Sequence, residues 1–450
     1  MLPATARVPD RSSAVDGLLA AVLALALAAA AGGGLVAHAR RVADRRVRAT
    51  APADVPFEFQ TLTLQTAALA SGRVLPIYGS SELFCCGSPF RPTQVFTGAA
   101  SDFKTLALGK AGTADLVFLQ TFAALGRALR GRKLVLSVSP SWFFRRAGVG
   151  PRPYAATFST DVAYAFAFDG AVPRAVRATA ARRMLAYPAT LDDDPLLRLA
   201  LADDAASGVA HAALAPLGGP ARAVLAVRDA ARTELVARKS RRAAAAPVAS
   251  GGWAGLAATA TRIAVAGDTT NPFGFADRAY REARRDKMVQ DAVALYRDGA
   301  DNRDGRTLPA PVAWLGHVAH SVEWRDFRAT LRLLHALHAR PLVWTMPLPG
   351  RYDDYTRRSP AARARFYDRW ERTVRSAGVP WLDFRAHDED PWFLTDPGSH
   401  FSARGWIFAD RALDVFWHGG STGDVTAAVA DLDRAAPSPP VAVADRGGAR

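Results

Sequence analysis

The stretch RVLPIYGSSEL, residues 73–83, decides the fold class of this 450-residue chain. It begins with a short apolar run, and such runs are typical of strands that are buried on both faces of a parallel sheet. A Gly-Ser-Ser turn follows, and open α/β sheets place their ligand sites at the carboxyl ends of their strands. The stretch therefore predicts an α/β fold and makes Ser81 a candidate site residue. The alternative is that Ser80 or Ser81 only caps the helix that begins there.

The same pattern repeats along the chain. Further apolar runs occupy residues 104–108, 133–138, 342–346 and 379–384. Helical periodicity fills residues 113–130, 326–338, 360–376 and 402–418. This alternation of strands and helices predicts a parallel sheet with right-handed crossovers.

We expect an insertion to divide the sheet domain. Residues 71–147 and 307–418 carry the alternation, whereas residues 148–306 are Ala- and Arg-rich and predict a mainly helical insertion. The other parts expected are an N-terminal tail at 1–16, a transmembrane anchor at 17–37, a linker at 38–70 and a disordered tail at 419–450.

Residues 17–37, GLLAAVLALALAAAAGGGLVA, carry no charge and are long enough to cross a bilayer. We favour a retained anchor over a cleaved signal peptide, although Ala37-His38-Ala39 offers a cleavage site. The arginines that flank this segment are Arg7 and Arg11 before it, and Arg40, Arg41, Arg45, Arg46 and Arg48 after it. By the positive-inside rule they would place the rest of the chain in the cytoplasm.

Composition excludes several classes of function. The 57 Lys and Arg residues exceed the 42 Asp and Glu residues, but the arginines are scattered, so the net charge of +15 does not predict nucleic-acid binding. The two cysteines, Cys85 and Cys86, are adjacent, and a bond between them would be strained. We interpret them as small buried thiols rather than a redox switch. The His pairs 317/320 and 335/338 lack an H-E-x-x-H pattern, so no metal or other cofactor is predicted.

A second stretch supplies the groups that a nucleophilic serine needs. Residues 394–406 read LTDPGSHFSARGW, just before a predicted helix. His400 is a candidate base for Ser81, and Asp396 a candidate acid to orient its imidazole. A rival match to G-x-S-x-G, at residues 419–423, has no His after Ser421 and no preceding strand, so we discard it.

Four elements in order carry a family resemblance. They are the turn Gly79–Glu82, the run Ser139-Pro140-Ser141-Trp142-Phe143, the set Pro347, Gly350, Tyr352 and Tyr355, and the group His400, Gly405 and Trp406. Together with the late Asp and His they resemble the SGNH hydrolases and, more closely, the DltD family, which acts in teichoic acid D-alanylation. The resemblance implies an SGNH-like three-layer sandwich with a parallel sheet. The chain departs from the pattern at Pro397, where the acid is usual, and at Ser141, where a Gln is common.

The resemblance also implies residue roles. Ser81 would be the nucleophile, His400 the general acid and base, and Asp396 the orienting acid. The backbone N–H groups of Ser81 and Gly109 would form the oxyanion hole. Ser141 and Trp142 would lie on the substrate side.

The family implies ester chemistry on a cell-envelope polymer: transfer or hydrolysis of an acyl group, D-alanyl in the type case. The partners implied are a membrane-bound O-acyltransferase and an acyl carrier protein pathway. This requires an extracytoplasmic catalytic domain, and we follow that implication over the positive-inside signal. The alternative function is a non-catalytic SGNH-like scaffold that binds the polymer or the acyltransferase.

Overall fold

The computed structural model describes most of the chain. The described residues are 11–84, 88–97, 101–168, 172–206, 208–239, 251–266, 311–350, 353, 358–390, 392–396 and 400–439. Cys85 and Cys86 lie outside them, so the interpretation of these thiols stays a prediction.

Five parallel strands form the central sheet. They are β1 (Val74–Gly79), β2 (Lys104–Gly109), β3 (Lys133–Val138), β4 (Arg340–Thr345) and β5 (Trp381–Asp383), in the spatial order β2-β1-β3-β4-β5. All five predicted strands are confirmed, with ends that shift by a few residues. The order reverses between β1 and β3, and ligands of such sheets bind at that switch point, outside the carboxyl ends of the strands.

Sixteen α-helices surround the sheet within the described residues. They are α1 (Arg11–Thr50), α2 (Leu62–Ser71), α3 (Pro92–Val95), α4 (Asp115–Leu125), α5 (Pro151–Thr157), α6 (Thr160–Phe168), α7 (Arg174–Leu185), α8 (Pro195–Ala206), α9 (His211–Leu214), α10 (Gly219–Lys239), α11 (Gly252–Ala266), α12 (Pro311–His320), α13 (Glu323–Ala336), α14 (Pro360–Ser376), α15 (Ala403–Trp417) and α16 (Thr422–Ala435). The described elements between residues 148 and 306 are all helical, and the predicted insertion stays a prediction.

The helices cover both faces of the sheet, which gives three layers. Successive residues of a strand point to opposite faces. Tyr78 accordingly packs in a core with α2, α4, α13 and α14, whereas its neighbour Ile77 packs in a second core with α15 and α16. Burial on both faces explains why the strands are continuous apolar runs.

The predicted linker at 38–70 is wrong. Helix α1 continues to Thr50, and its residues Ala39, Ala43 and Val47 are buried because they pack on the folded domain. Helix α2 then fills most of the remaining segment. The apolar first part of α1 is exposed and is long and hydrophobic enough to cross a membrane.

The predicted disordered tail is also wrong for residues 419–439. Ser421 caps α16 in a capping box with Asp424, and Val425 and Leu432 are buried against α15 and the sheet. Residues 440–450 lie outside the described part of the chain. The rival serine, Ser421, is therefore a helix cap, as its Oγ accepts from the N–H of Asp424 at 3.3 Å.

Candidate active site

Ser81 and His400 lie in direct contact, although 319 positions separate them. Ser81 begins a 3₁₀ turn, Ser81–Leu83, which directly follows β1. His400 begins the short strand β7 (His400–Phe401), which precedes α15. The distance from Ser81 Oγ to His400 Nε2 is 2.9 Å, which is a hydrogen bond. The structure thus brings the predicted nucleophile and base together.

The capping alternative for this turn is wrong. Ser80 precedes the 3₁₀ turn without making a side-chain cap, and Ser81 Oγ is bonded to His400. The Ser81 amide N–H meets no acceptor within the described residues. An unpaired N–H at the start of a turn, beside the serine oxygen, can stabilise negative charge that develops on a bound carbonyl oxygen.

A buried carboxylate, Glu82, holds this turn in shape. Its Oε1 accepts from the Ser80 N–H at 2.7 Å and its Oε2 from the Ser80 hydroxyl at 2.6 Å. A Cβ at Gly79 would collide with this carboxylate, so the turn requires glycine there. Sequence reasoning gives Glu82 no role, although an ionisable residue two positions after a serine in a tight turn is typical of local side-chain to backbone bonds.

Gly109, the expected oxyanion donor, ends β2 directly opposite Gly79. Its φ is +134°, and a Cβ there would collide with the Gly79 carbonyl oxygen, so only glycine fits. Its N–H donates to Gln60 Oε1 at 2.7 Å, and its carbonyl accepts from Gln60 Nε2 at 2.9 Å. Both polar groups of Gly109 are therefore engaged by Gln60, a residue that the sequence did not single out.

The two residues that follow β3 differ in exposure. Ser141 is exposed, and its hydroxyl lies 2.8 Å from that of Ser139. Trp142 is 8% exposed, and its ring lies 5.8 Å from that of Phe118. Trp142 is thus mostly buried in the core, and its expected place on the substrate side stays a prediction.

Asp396 ends the short strand β6 (Leu394–Asp396) and is the direct backbone partner of His400 in β7. The register is irregular between Leu394 and Asp396. Leu394 pairs with Phe401 and Asp396 pairs with His400, so β6 advances two residues where β7 advances one. The irregularity therefore falls at Thr395, before Asp396, and not between Asp396 and His400. The Asp396 side chain and residues 397–399 lie outside the described part of the chain.

Two other acids near His400 in sequence bind elsewhere. Asp388 accepts from the Tyr367 hydroxyl at 2.5 Å and the Leu348 N–H at 3.0 Å, and burial raises its pKa to about 7. Asp390 pairs with the Arg404 guanidinium at 2.8 Å. These contacts direct both carboxylates to structural partners.

Among the described residues, no group of three or more His, Cys, Asp or Glu side chains could hold a metal ion. Within the described part of the chain, the site consists of a serine hydroxyl bonded to an imidazole, beside a Ser81 N–H that meets no described acceptor. Such a set can form and break an acyl–serine ester.

Comparison with known proteins finds a matching family. A family model described as DltD protein matches residues 55–418. Protein DltD of Bacillus subtilis (strain 168) is 28% identical over 385 residues, which cover 86% of this chain and 92% of that protein. Protein DltD of Staphylococcus aureus (strain NCTC 8325 / PS 47) is 23% identical over 355 residues, which cover 78% and 82%. The family match spans the whole central sheet together with Ser81 and His400.

Proposed function

The chain belongs to the DltD family, and on that premise we propose that it is a membrane-anchored serine acyltransferase or esterase. Its substrates would be ester-linked acyl groups of the D-alanyl type, carried to or from a cell-envelope polymer such as teichoic acid. The observation that carries the proposal is the 2.9 Å contact between Ser81 Oγ and His400 Nε2. A serine hydroxyl is a weak nucleophile until an adjacent base accepts its proton.

In the proposed reaction, His400 Nε2 takes the proton from Ser81 Oγ as that oxygen attacks the acyl carbonyl carbon. The bond to the leaving oxygen breaks, the imidazolium returns the proton to it, and an acyl–Ser81 ester remains. A polymer hydroxyl or water then attacks this ester. His400 takes the proton of that attacking group and returns it to Ser81.

The negative charge on the carbonyl oxygen needs donors. The Ser81 N–H is the first donor that we propose, and one such donor is worth about 3–4 kcal/mol of barrier. Gly109 supplies a second donor only after Gln60 releases its N–H. We propose Asp396 as the orienting acid, because it is the backbone partner of His400, and direct cross-strand partners have Cβ atoms about 4.5–5.5 Å apart.

We place the catalytic domain outside the cytoplasm, with α1 as the anchor. The exposed apolar part of α1 supports the anchor, and the family's implied work on envelope polymers supports the extracytoplasmic placement. The arginines after the span argue for the opposite orientation. The proposed partner is a membrane-bound O-acyltransferase that delivers the acyl group, supplied in turn by an acyl carrier protein pathway.

A second candidate function is a non-catalytic scaffold that binds the polymer or the acyltransferase. The observation that favours it is the engagement of Gly109 by Gln60, which leaves the oxyanion site with one donor fewer. Only the catalytic candidate requires an activated serine, so a serine-reactive probe distinguishes the two functions.

Fluorophosphonate labelling tests the catalytic proposal. We expect the wild-type chain to be labelled at Ser81, and Ser81→Ala and His400→Ala each to abolish labelling. The two changes remove one functional unit, so the double variant should lose no more than either alone. Ser421→Ala, which removes the rival serine, is the matched control and should label normally. Labelling that survives Ser81→Ala, or an unreactive wild-type chain, would favour the scaffold.

A further inference from the structure

Helix α10 runs beside α1 in the same direction. A Cβ at Gly32 of α1 would lie 3.1 Å from Val227 Cγ2 of α10. Further along, His38 Nε2 lies 3.6 Å from Glu234. Residue numbers increase together along both helices, so the N-terminal end of α10 points toward the apolar part of α1.

That end of α10 is apolar and exposed. Residues 212–227 read AALAPLGGPARAVLAV, with Arg222 as the one charged residue. Leu217 is 57% exposed and Val224 is 69% exposed. The segment is nevertheless held in place, because Gly218 packs directly on the ring of Phe168 and Arg222 Nη1 donates to the Phe168 carbonyl at 3.3 Å. We call residues 212–227 the apolar edge.

The apolar edge extends toward the segment that would lie in lipid. Residues 18–31 of α1 are exposed, and burial begins at Gly32, where α10 makes contact. From Val227 back to Gly219, α10 continues by eight residues, or about 12 Å at 1.5 Å per residue. The apolar edge therefore projects beyond the level at which α1 leaves the folded domain.

We propose that the apolar edge inserts into the headgroup and acyl boundary of the bilayer that α1 crosses. This inference rests on the anchor in the proposed function. Contiguous exposed apolar surface marks an interaction site, and lipid is what surrounds the adjoining part of α1. Exposed arginines on the domain side of Gly32 would then lie at the level of the phosphate headgroups; they are Arg40, Arg41, Arg45 and Arg48. The contact fixes the orientation of the domain above the membrane.

The experiment uses the full chain, with Cys85→Ser and Cys86→Ser, in nanodiscs that contain phosphatidylglycerol. A polarity-sensitive fluorophore is attached to a single cysteine in each of four variants: Leu217→Cys, Val224→Cys, Leu235→Cys and Leu23→Cys. Leu235, which is 44% exposed, is the matched control because it lies on α10 at the end away from the apolar part of α1. Leu23 reports on the anchor itself.

Lipids with a nitroxide high on the acyl chain should quench the fluorophores at 217 and 224 at least about threefold more than the one at 235, as for side chains at the interface. Aqueous iodide should give the reverse order. Equal quenching at 217, 224 and 235, with strong lipid quenching at 23, would overturn this inference and leave the anchor intact. Absence of lipid quenching at 23 would overturn the anchor and the inference together. Shielding of 217 and 224 from both quenchers would mean that protein covers the apolar edge, which also overturns the inference.

Discussion

The hydrogen bond between Ser81 and His400 determines which imidazole tautomer can act. Nε2 accepts the serine proton only if the ring proton is on Nδ1. A carboxylate that accepts from Nδ1–H holds the ring in this form and stabilises the imidazolium. Asp388 and Asp390 are bonded to Tyr367 and Arg404, so they do not serve this purpose. Asp396, the strand partner of His400, is the remaining candidate.

Asp396→Asn tests this assignment. An amide donates to the ring where a carboxylate accepts, so we expect the wrong tautomer and a fall of about ten-thousand-fold in the rate of Ser81 labelling. Fluorophosphonate kinetics measure the loss. The control is Asp192→Asn, on the exposed surface, which should label at the wild-type rate. A loss of tenfold or less would show that Ser81 and His400 work as a dyad.

Site residues can be predicted from the sequence where the reaction requires a particular type of side chain. A nucleophilic serine after a buried strand and a late His before a helix were both identified, and the structure joins them. Gln60 was not identified, because its partner Gly109 lies 49 positions away and no local pattern links them. The burial of Trp142 against Phe118 depends on tertiary packing, so no local sequence pattern shows it.

At the scale of elements, the strands were easier to predict than the helix boundaries. Each strand is a run buried on both faces, a pattern that short sequences display directly. Helix α16 was missed because Gly, Pro and Ala dominated the segment, although its capping box and its buried Val425, Val429 and Leu432 at spacings of four and three were present. Helix α1 was expected to end with its apolar run, whereas its polar half packs through small residues.

The segment between α1 and α2 is tied to the end of β2 by one side chain. Gln60 Nε2 donates to Val55 and to Gly109, and its Oε1 accepts from Gly109. This link joins the part of the chain that follows the anchor to the edge of the site. It also occupies an N–H that the proposed oxyanion hole would use.

If the proposed reaction takes place, Gln60→Ala should therefore raise the rate of hydrolysis of a soluble ester. Without Gln60, the Gly109 N–H is free to donate to the oxyanion. We expect the rate to rise about tenfold, which is less than the effect of one full oxyanion donor on kcat. The lost hydrogen bonds should lower the free energy of unfolding by about 1–3 kcal/mol. Gln60→Glu keeps an acceptor for the Gly109 N–H and is the matched control, which should show no gain. Equal rates for Gln60→Ala and wild type would exclude Gly109 from the oxyanion hole.

At the scale of the whole molecule, three buried acids lie close together, and two of them pair with Arg183. Asp115, Glu323 and Asp326 are fully buried, and Arg183 Nε pairs with Asp326 Oδ2 at 2.7 Å. Glu323 Oε1 lies 3.7 Å from Arg183 Nη2 and accepts from the Val149 N–H at 2.7 Å. Burial and then the charge of Asp326 raise the pKa of Glu323 to about 8. The cluster lies where α4, α7 and α13 meet, so its protonation affects the stability of the domain.

Glu323→Gln tests this consequence of burial. Below pH 8 the folded chain keeps the Glu323 proton, whereas the unfolded chain releases it above about pH 4.5, the ordinary value. The folded state then binds more protons between these values, so the free energy of unfolding falls as pH rises, by up to about 1.4 kcal/mol per pH unit for one group. Gln resembles the protonated acid and keeps the acceptor for Val149, so its variant should show a shallower slope from pH 5 to 8 and higher stability at pH 8. Urea unfolding of the full chain in detergent measures both.

Glu58→Gln, at an exposed position, should keep the wild-type slope. An unchanged slope in Glu323→Gln would show that the acid is already ionised in the folded protein.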